Sequence, residues 1–358
     1  MMRIISIANQ KGGCGKTTSA INLSACLAYK GRKILLIDMD PQGHSAIGLN
    51  IHTSELEKTV CDTLGDSNDA KANLNDVTIE VDDNFDIAPS NIFLSALEQR
   101  LSMVQGRETR LKEAIDGLYP IYDYIIIDCP PSLGLLTFNS LIASTEVIVP
   151  IEMSLFSLHG ISRLLKIIEL VREKTGHEVR IKVIATMYDK RTKISKEVLQ
   201  DIKKYFQDSM FITVINTNVA LKEAASFGKS IVDYDRKAPG FRDYMALTKE
   251  VIAEENILGK RPVKPKKPFP LATMVEKRFI YDAPKASCVK IAGTFNNWNT
   301  SEESLMERKR DGTWSKCVYL APGTYQYRFL IDDEWVADQD NSNHVINPFG
   351  GKNSVIKI

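Results

Sequence analysis

A glycine-rich segment near the start of the chain carries residues suited to binding phosphate. It reads Asn9-Gln-Lys-Gly-Gly-Cys-Gly-Lys-Thr-Thr18, between an apolar run and a helical pattern. Its glycines let the backbone curl, so that successive N–H groups point at anionic oxygens beside the positive end of a helix. A lysine adds positive charge, and a threonine hydroxyl is placed to bind magnesium. The segment predicts a site for Mg²⁺ and ATP made by Gly12, Gly13, Cys14, Gly15, Lys16, Thr17 and Thr18.

Three aspartates stand at or just beyond the ends of two later apolar runs. Asp38 ends the run at 34–38, Asp40 lies two residues later, and Asp128 ends the run at 124–128. Ligands of open α/β folds lie at the carboxyl edge of the sheet, so Asp128 can hold magnesium through water there. A helix-capping role for Asp128 and a turn-forming role for Asp40 are the structural alternatives.

Apolar runs of strand length recur through the first 258 residues, with helical patterns between them. Near-continuous runs suit strands that are buried on both faces, and the alternation with helices predicts crossover connections. We therefore expect an α/β fold with a doubly wound, mostly parallel sheet. The predicted strands are 4–8, 34–38, 85–88, 124–128, 147–150, 181–186 and 211–215, and the predicted helices are 17–30, 161–174, 195–206 and 241–254.

The pattern changes at 259–270, where four prolines and five cations occur without an acid. Such a composition predicts an extended basic linker. Beyond it the apolar period becomes two, and the pairs Asp311-Gly312 and Asp332-Asp333 mark turns. We expect an ATPase domain at 1–258 and a small all-β, immunoglobulin-like sandwich at 271–358.

The pattern Lys-Gly-Gly-x-Gly-Lys-Thr-Thr, which begins at Lys11, resembles the deviant phosphate loop of the ParA/MinD (Soj-like) family of partitioning and positioning ATPases. Segments 35–43 and 122–131 resemble two further signature segments of that family. The resemblance covers about 1–258 and implies a P-loop NTPase fold and ATP hydrolysis. It also implies a homodimer when ATP is bound, in which Lys11 reaches the partner's phosphates.

The same resemblance implies roles for the aspartates. The counterpart of Asp40 polarises the attacking water, which makes Asp40 catalytic together with Lys11 and Lys16. Asp38 supports the metal that Thr17 binds. Hydrolysis is expected to be slow until a protein partner, which the sequence does not identify, stimulates it.

Near the end of the first domain the chain departs from the family pattern Ile-Pro-Arg-Asn-Val-Arg. It reads Ile215-Asn-Thr-Asn-Val-Ala220, and by resemblance Asn216 belongs to the nucleotide site. Arginines in this region are implicated in nonspecific DNA binding by chromosome-partitioning members. Their absence disfavours DNA as a partner, although Lys222 and Lys229 lie nearby. The acidic segment 246–258 lacks the amphipathic membrane anchor of the cell-division members.

Targeting signals and cysteine usage give one further expectation. The N-terminus lacks the pattern of a signal peptide, and no apolar stretch reaches the length needed to span a bilayer. The six cysteines are scattered without CxxC spacing, which argues against zinc and disulfides. We therefore expect a cytoplasmic protein without a membrane partner.

Residues 271–358 resemble the glycogen-binding module of starch-branching enzymes and of AMP-activated kinase β subunits. The likeness rests on the segments 279–299, 310–314, 323–329 and 333–338. It implies an α-glucan site in which indoles stack on sugar rings and polar side chains bind the hydroxyls. The implied carbohydrate-binding residues are Trp298, Arg328, Trp335 and Asn353. Both tryptophans are expected in exposed loops, and a place in the core of the sandwich is the alternative.

Together these patterns predict an ATP-gated dimeric switch that a C-terminal module attaches to glycogen or another α-glucan. Two other functions stay open. One is a DNA-binding chromosome or plasmid partition ATPase whose module docks a protein partner. The other is an iron–sulfur redox carrier of related fold that uses Cys129 between subunits.

Overall fold

A computed structural model divides the chain into two compact units, Met1–Val263 and Lys264–Ile358. The predicted linker, 259–270, and both predicted domain limits lie outside the residues that the structure describes. The described residues are 2–65, 72–118, 122–154, 157–255, 275–296, 298–301, 304–309, 311–320, 323–347 and 350–358.

The first unit is built on one eight-stranded sheet with the order β3-β4-β2-β5-β1-β6-β7-β8. Neighbouring strands are parallel except for β3 and β4. This arrangement confirms the doubly wound, mostly parallel fold. The strands are β1 (Arg3–Ile7), β2 (Ile34–Asp38), β3 (Ile79–Asp82), β4 (Phe85–Ala88), β5 (Tyr124–Asp128), β6 (Glu146–Glu152), β7 (Arg180–Tyr188) and β8 (Met210–Asn216).

Helices connect these strands, and local sequence sets where several of them begin. Thr192 and Asn218 each accept a backbone N–H as the N-cap residue, and Pro239 occupies the first turn of the last helix. The helices are α1 (Lys16–Tyr29), α2 (His44–Ile47), α3 (Val60–Leu64), α4 (Phe93–Arg100), α5 (Arg110–Asp116), α6 (Leu135–Ala143), α7 (Ser157–Thr175), α8 (Lys193–Phe206), α9 (Val219–Ser226), α10 (Ile231–Tyr234) and α11 (Pro239–Ala253).

Burial explains which strands could be predicted. Every residue of β2 and β5 is buried, as expected for strands in the middle of a covered sheet. In β3 the half-buried residues Ile79 and Val81 alternate with the exposed Glu80 and Asp82. The strand β3 was not predicted, because this edge strand has no continuous apolar run.

The second unit consists of antiparallel strands in two sheets. One sheet has the order β10-β13-β16-β15, with β14 paired to β13, and the other has the order β11-β12-β9. This all-β arrangement is consistent with the predicted immunoglobulin-like sandwich. The strands are β9 (Val275–Asp282), β10 (Val289–Gly293), β11 (Glu307–Arg308), β12 (Thr313–Leu320), β13 (Thr324–Ile331), β14 (Glu334–Val336), β15 (His344–Ile346) and β16 (Lys352–Lys357).

Aromatic side chains form the core of the second unit. Phe279, Trp314, Tyr327 and Phe329 are buried in one cluster with aliphatic residues of both sheets. Tyr327 and Phe329 alternate along β13 with residues that lie outside this cluster, as the period of two predicted. Trp314 is thus the tryptophan of the core, which leaves Trp298 and Trp335 for another role.

Candidate functional site

The phosphate loop lies between β1 and α1 and is open on its outer side. Gly13 and Gly15 adopt φ angles of 71° and 87°, which L side chains rarely adopt. A Cβ atom built on Gly12 or Gly13 would meet no heavy atom within 4 Å. The backbone N–H groups of the loop therefore border open space at the N-terminus of a 14-residue helix, as an anion site requires.

Contacts inside the loop explain its shape. The Lys16 ammonium donates to the Lys11 carbonyl at 3.0 Å, and the Cys14 thiol donates to the same oxygen at 3.2 Å. The Thr186 hydroxyl at the end of β7 donates to the Cys14 carbonyl at 2.9 Å. Burial raises the pKa of Cys14, so its thiol stays neutral and only its backbone N–H is suited to binding phosphate.

The three predicted aspartates come together at the carboxyl edge of the sheet. Asp38 lies opposite Asp128 in the β2–β5 register, and all three side chains are buried. Asp38 accepts the N–H of Asp40 at 3.0 Å and that of Ser45 at 3.1 Å. Burial, followed by the neighbouring charge of Asp128, raises the pKa of Asp38 well above its ordinary value.

Asp128 is a buried carboxylate with one oxygen left open for a cation. Its Oδ2 accepts the Ser45 hydroxyl at 2.8 Å, whereas Oδ1 is buried and has no hydrogen-bond partner. Burial raises the pKa of Asp128 to about 6, although Thr17 and Ser45 act in the opposite direction by favouring its ionised form. A buried polar atom without a partner is unusual in a folded protein, and a bound cation would satisfy it.

These residues fit magnesium. Among the described residues no group of three or more His, Cys, Asp and Glu side chains is placed to hold a metal. Mg²⁺ does not need such a group, because it keeps several waters and binds through one or two carboxylates plus phosphate oxygens. The Thr17 hydroxyl, Asp38 and Asp128 would supply oxygen ligands of that kind beside the phosphate loop.

Lys11 is held by contacts within its own chain. Its ammonium contacts Glu152 Oε2 at 2.5 Å and the Ser154 hydroxyl at 2.9 Å. The ion pair is partly exposed, with about a fifth of the Lys11 side chain open to solvent. Such a pair contributes little stability, so the ammonium can exchange this carboxylate for another anion at small cost.

Asn216 ends β8 at the same edge of the sheet. Its side-chain nitrogen donates to Asp243 Oδ2 at 2.9 Å, and its backbone N–H donates to the same oxygen at 2.9 Å. Asn216 pairs with Tyr188 across β7 and β8. The structure therefore places Asn216 one strand away from the β7 threonine that contacts the phosphate loop.

Cys129 follows Asp128 but faces the protein interior. It is fully buried, and burial raises the pKa of its thiol to about 12. A neutral, buried thiol is a poor metal ligand. This environment disfavours the iron–sulfur alternative.

In the second unit the two remaining tryptophans lie side by side. Their ring centroids are 6.0 Å apart at an interplanar angle of 67°. Trp298 has a φ angle of 57°, which is rare for a bulky residue. Its backbone N–H donates to the Gly293 carbonyl at 2.9 Å. Trp335 is 39% exposed. It lies in β14 opposite Leu330, so the prediction that it occupies a loop was wrong.

Arg328 lies against Trp335, and Asn353 lies on β16 of the same sheet. The Arg328 guanidinium lies 5.9 Å from the Trp335 ring centroid and donates to the Trp335 carbonyl at 2.5 Å. Its Nε is buried without a partner. Asn353 donates to Gln326 Oε1 at 3.0 Å and accepts from Asn347 at 3.0 Å. Arg328, Trp335 and Asn353 thus lie on strands of one sheet. Trp298 lies in the turn after β10, and its ring centroid is 6.0 Å from that of Trp335.

Three site residues were not predicted from the sequence. Ser45 holds Asp38 and Asp128, Glu152 pairs with Lys11, and Asp243 pairs with Asn216. The position of Glu152 at the end of β6 offered a signal, because side chains at strand ends meet at the carboxyl edge. No sequence spacing indicated Ser45 or Asp243.

Family models match both units. Residues 2–181, half of the chain, match an AAA domain, and residues 275–358 match the glycogen recognition site of AMP-activated protein kinase. Among the described residues no helix has the length and apolarity to cross a membrane.

Known proteins resemble the first unit over nearly their whole length. The sporulation initiation inhibitor protein Soj of Bacillus subtilis is 45% identical over 71% of this chain and 99% of its own. The chromosome partitioning protein ParA of Caulobacter vibrioides is 39% identical over 71% of this chain and 95% of its own. The septum site-determining protein MinD of Pyrococcus horikoshii, complexed with Mg-ADP, has a TM-score of 0.58 and 28% identity over 73% of this chain and all of its own.

The phosphate loop, the aspartate cluster and these similarities all indicate a P-loop ATPase. The protein is an ATPase with ATP and Mg²⁺ as its cofactors. The chain belongs to the ParA/Soj family of P-loop ATPases and carries a C-terminal glycogen-recognition module.

Proposed function

We propose that this protein is an ATP-gated switch of the partitioning and positioning type, anchored to glycogen or another α-glucan by its C-terminal module. In the cytoplasm it would dimerise with ATP bound, hydrolyse ATP slowly and respond to a stimulating protein. The observation that carries the proposal is the presence, in one chain, of the phosphate site and of a tryptophan pair outside the module core.

The nucleotide half of the proposal assigns a role to each group. Backbone N–H groups of the loop and Lys16 bind the phosphates, while Thr17, Asp38 and Asp128 hold magnesium. Asp40 orients water for attack on the terminal phosphate. Its Oδ1 accepts the Gln42 N–H at 3.0 Å, which fixes the carboxylate beside the metal ligands. In this scheme positioning and charge stabilisation supply the catalysis.

Dimerisation depends on Lys11. In the single protomer its ammonium pairs with Glu152. With ATP bound, the ammonium of each subunit would exchange that carboxylate for the partner's phosphates. A triphosphate offers more negative charge than one partly exposed carboxylate, so the exchange favours the dimer.

The glucan half rests on the Trp298–Trp335 pair. Indole faces are large apolar surfaces, and sugar rings present flat C–H faces that can stack on them. Arg328, whose guanidinium lies 5.9 Å from the Trp335 ring centroid, and Asn353 on β16 would bind hydroxyl groups. A protein partner would also use exposed tryptophan and arginine, so a binding test must separate the two.

The test is co-sedimentation of the full chain with glycogen. We expect wild-type protein to pellet with glycogen and Trp335→Ala to stay in the supernatant. Ile280→Ala is the matched control, because Ile280 is an exposed apolar residue on β9 of the other sheet. Equal pelleting of Trp335→Ala and wild type would remove the glucan site, and no pelleting of either would favour a protein partner.

Nonspecific DNA binding is a second candidate, since relatives of the first unit include a chromosome partitioning protein. Lys222, Lys229 and Lys237 are exposed, but Glu223 and Asp233 are exposed among them. This mixed surface lacks the basic stripe typical of DNA-binding proteins. Gel shifts with ATP at several salt concentrations test it, because phosphate contacts weaken steeply as salt rises.

A further inference from the structure

The outermost strand of the main sheet, β8, is supported by two acids of α11. A strand at the edge of a sheet has backbone N–H groups without a neighbouring strand. Glu250 accepts the N–H groups of Ile212 and Thr213, both at 2.8 Å. Two turns earlier on α11, Asp243 accepts the N–H of Asn216. Both acids therefore satisfy the backbone of β8.

Asp243 makes a second contact that Glu250 lacks. The same carboxylate oxygen accepts from the side-chain nitrogen of Asn216 at 2.9 Å. A carboxylate can only accept hydrogen bonds, so the amide nitrogen must face Asp243 whatever else lies nearby. The amide oxygen of Asn216 then points away from Asp243. No described residue donates a hydrogen bond to it.

The position of this amide matches the base end of a bound nucleotide. The metal ligands Asp38 and Asp128 lie on β2 and β5, to one side of β1. The phosphate loop contacts Thr186 on β7, to the other side of β1. A nucleotide whose terminal phosphates face the metal ligands must extend its base toward β7 and β8. Asn216, the last residue of β8, lies there.

We propose that Asp243 is a positioning residue that sets the base preference of the nucleotide site through Asn216. By fixing the amide with its oxygen free, Asp243 presents a hydrogen-bond acceptor to the base. A 6-aminopurine such as adenine carries a donor at that position, whereas a 6-oxopurine carries a second acceptor. The inference rests on the proposed nucleotide role of the loop and adds the determinant of base selection.

The size of the effect follows from hydrogen-bond energetics. A net hydrogen bond contributes about 0.5–1.5 kcal/mol, and an unmatched pair of acceptors adds a desolvation cost. We therefore expect wild-type protein to bind ADP at least about tenfold more tightly than IDP, which differs from ADP only at the 6-position. Diphosphates are used because they are not hydrolysed at a terminal phosphate and do not form the ATP-dependent dimer.

The experiment is calorimetric titration of the full chain with Mg²⁺·ADP and with Mg²⁺·IDP. Asp243→Asn is the test variant, since an amide at 243 can also donate and lets the Asn216 amide turn. We expect the ratio of the two dissociation constants to fall at least about fivefold. Glu250→Gln is the matched control and should keep the wild-type ratio, because Glu250 supports the same strand without touching Asn216.

A second variant guards against a folding defect. Asn216→Ala keeps the backbone N–H that donates to Asp243 but lacks the side-chain amide. The ratio of its dissociation constants for IDP and ADP should therefore approach one. An unchanged ratio in both Asp243→Asn and Asn216→Ala, or an equal loss of ADP and IDP affinity in both, would overturn the inference and leave the proposed function intact. Absence of ADP binding by wild-type protein would instead contradict the proposed function itself.

Discussion

Replacing Asp128 by asparagine should stabilise the nucleotide-free protein. Asp128 is buried with one unpartnered oxygen, and burial raises its pKa from 3.8 to about 6. The folded protein thus binds this proton more tightly than the unfolded chain. An asparagine cannot ionise, and its amide oxygen can still accept from Ser45. The substitution therefore removes a buried charge that destabilises the fold when no cation is bound.

The sign and size follow from linkage between protonation and folding. When a carboxyl has a higher pKa in the folded state, the free energy of unfolding falls as pH rises from the unfolded value through the folded one. The relevant window runs from about pH 4 to about pH 6. One pKa unit corresponds to about 1.4 kcal/mol, so above pH 7 the ionised Asp128 costs up to about 3 kcal/mol. At pH 5 about half of that cost remains.

Urea unfolding with EDTA present, at pH 7.5 and at pH 5, measures the effect. Far-UV circular dichroism follows the helices of the first unit. All three tryptophans, Trp298, Trp314 and Trp335, lie in the second unit, so tryptophan fluorescence reports the module and should not change. Asp201→Asn, which alters an exposed carboxylate on α8, is the control and should stay within about 0.5 kcal/mol of wild type.

We expect Asp128→Asn to raise the free energy of unfolding by about 1–3 kcal/mol at pH 7.5 and by about half as much at pH 5. Mg²⁺·ADP should stabilise wild type more than the variant. The reasoning would be refuted by a variant less stable than wild type at pH 7.5, or by a gain of equal size at both pH values.

Two further substitutions separate dimerisation from hydrolysis. Lys11→Ala should abolish the ATP-dependent increase in mass seen by sedimentation velocity while leaving the ADP affinity within about threefold; a persisting dimer would contradict the role of Lys11. Asp40→Ala should keep that dimer but lower phosphate release at least about a hundredfold. Wild-type turnover in Asp40→Ala would show that another group orients the water.

The central part of the fold could be predicted because burial leaves a direct trace in the sequence. The strands at 34–38, 85–88 and 124–128 have the predicted bounds, since covered strands require continuous apolar runs. The same reasoning predicted Asp128 at the carboxyl edge of the sheet, where parallel strands end, whereas the metal-supporting role of Asp38 came from the family resemblance. In contrast, short helices such as α2 and α10, with four residues each, offer too few residues for a periodic pattern.

Partners of the site residues could not be predicted because they come from distant parts of the chain. Glu152 lies 141 residues from Lys11, and Asp243 lies 27 residues from Asn216. No local pattern in the sequence indicates such pairings, and they can be predicted only when the order of the strands in the sheet is known. The strand that carries Trp335 was also missed. Asp332 and Asp333, with φ angles of 44° and 72°, form a tight turn that pairs three further residues with β13.

Co-sedimentation with glycogen in ATP and in ADP tests the joint action of the two units most directly. An ATP-bound dimer would carry two glucan modules, and linking two binding sites raises overall affinity by orders of magnitude without new contacts. We predict retention on glycogen at least about tenfold tighter in ATP than in ADP, and loss of this difference in Lys11→Ala. Equal retention of wild-type protein in both nucleotides would contradict the account.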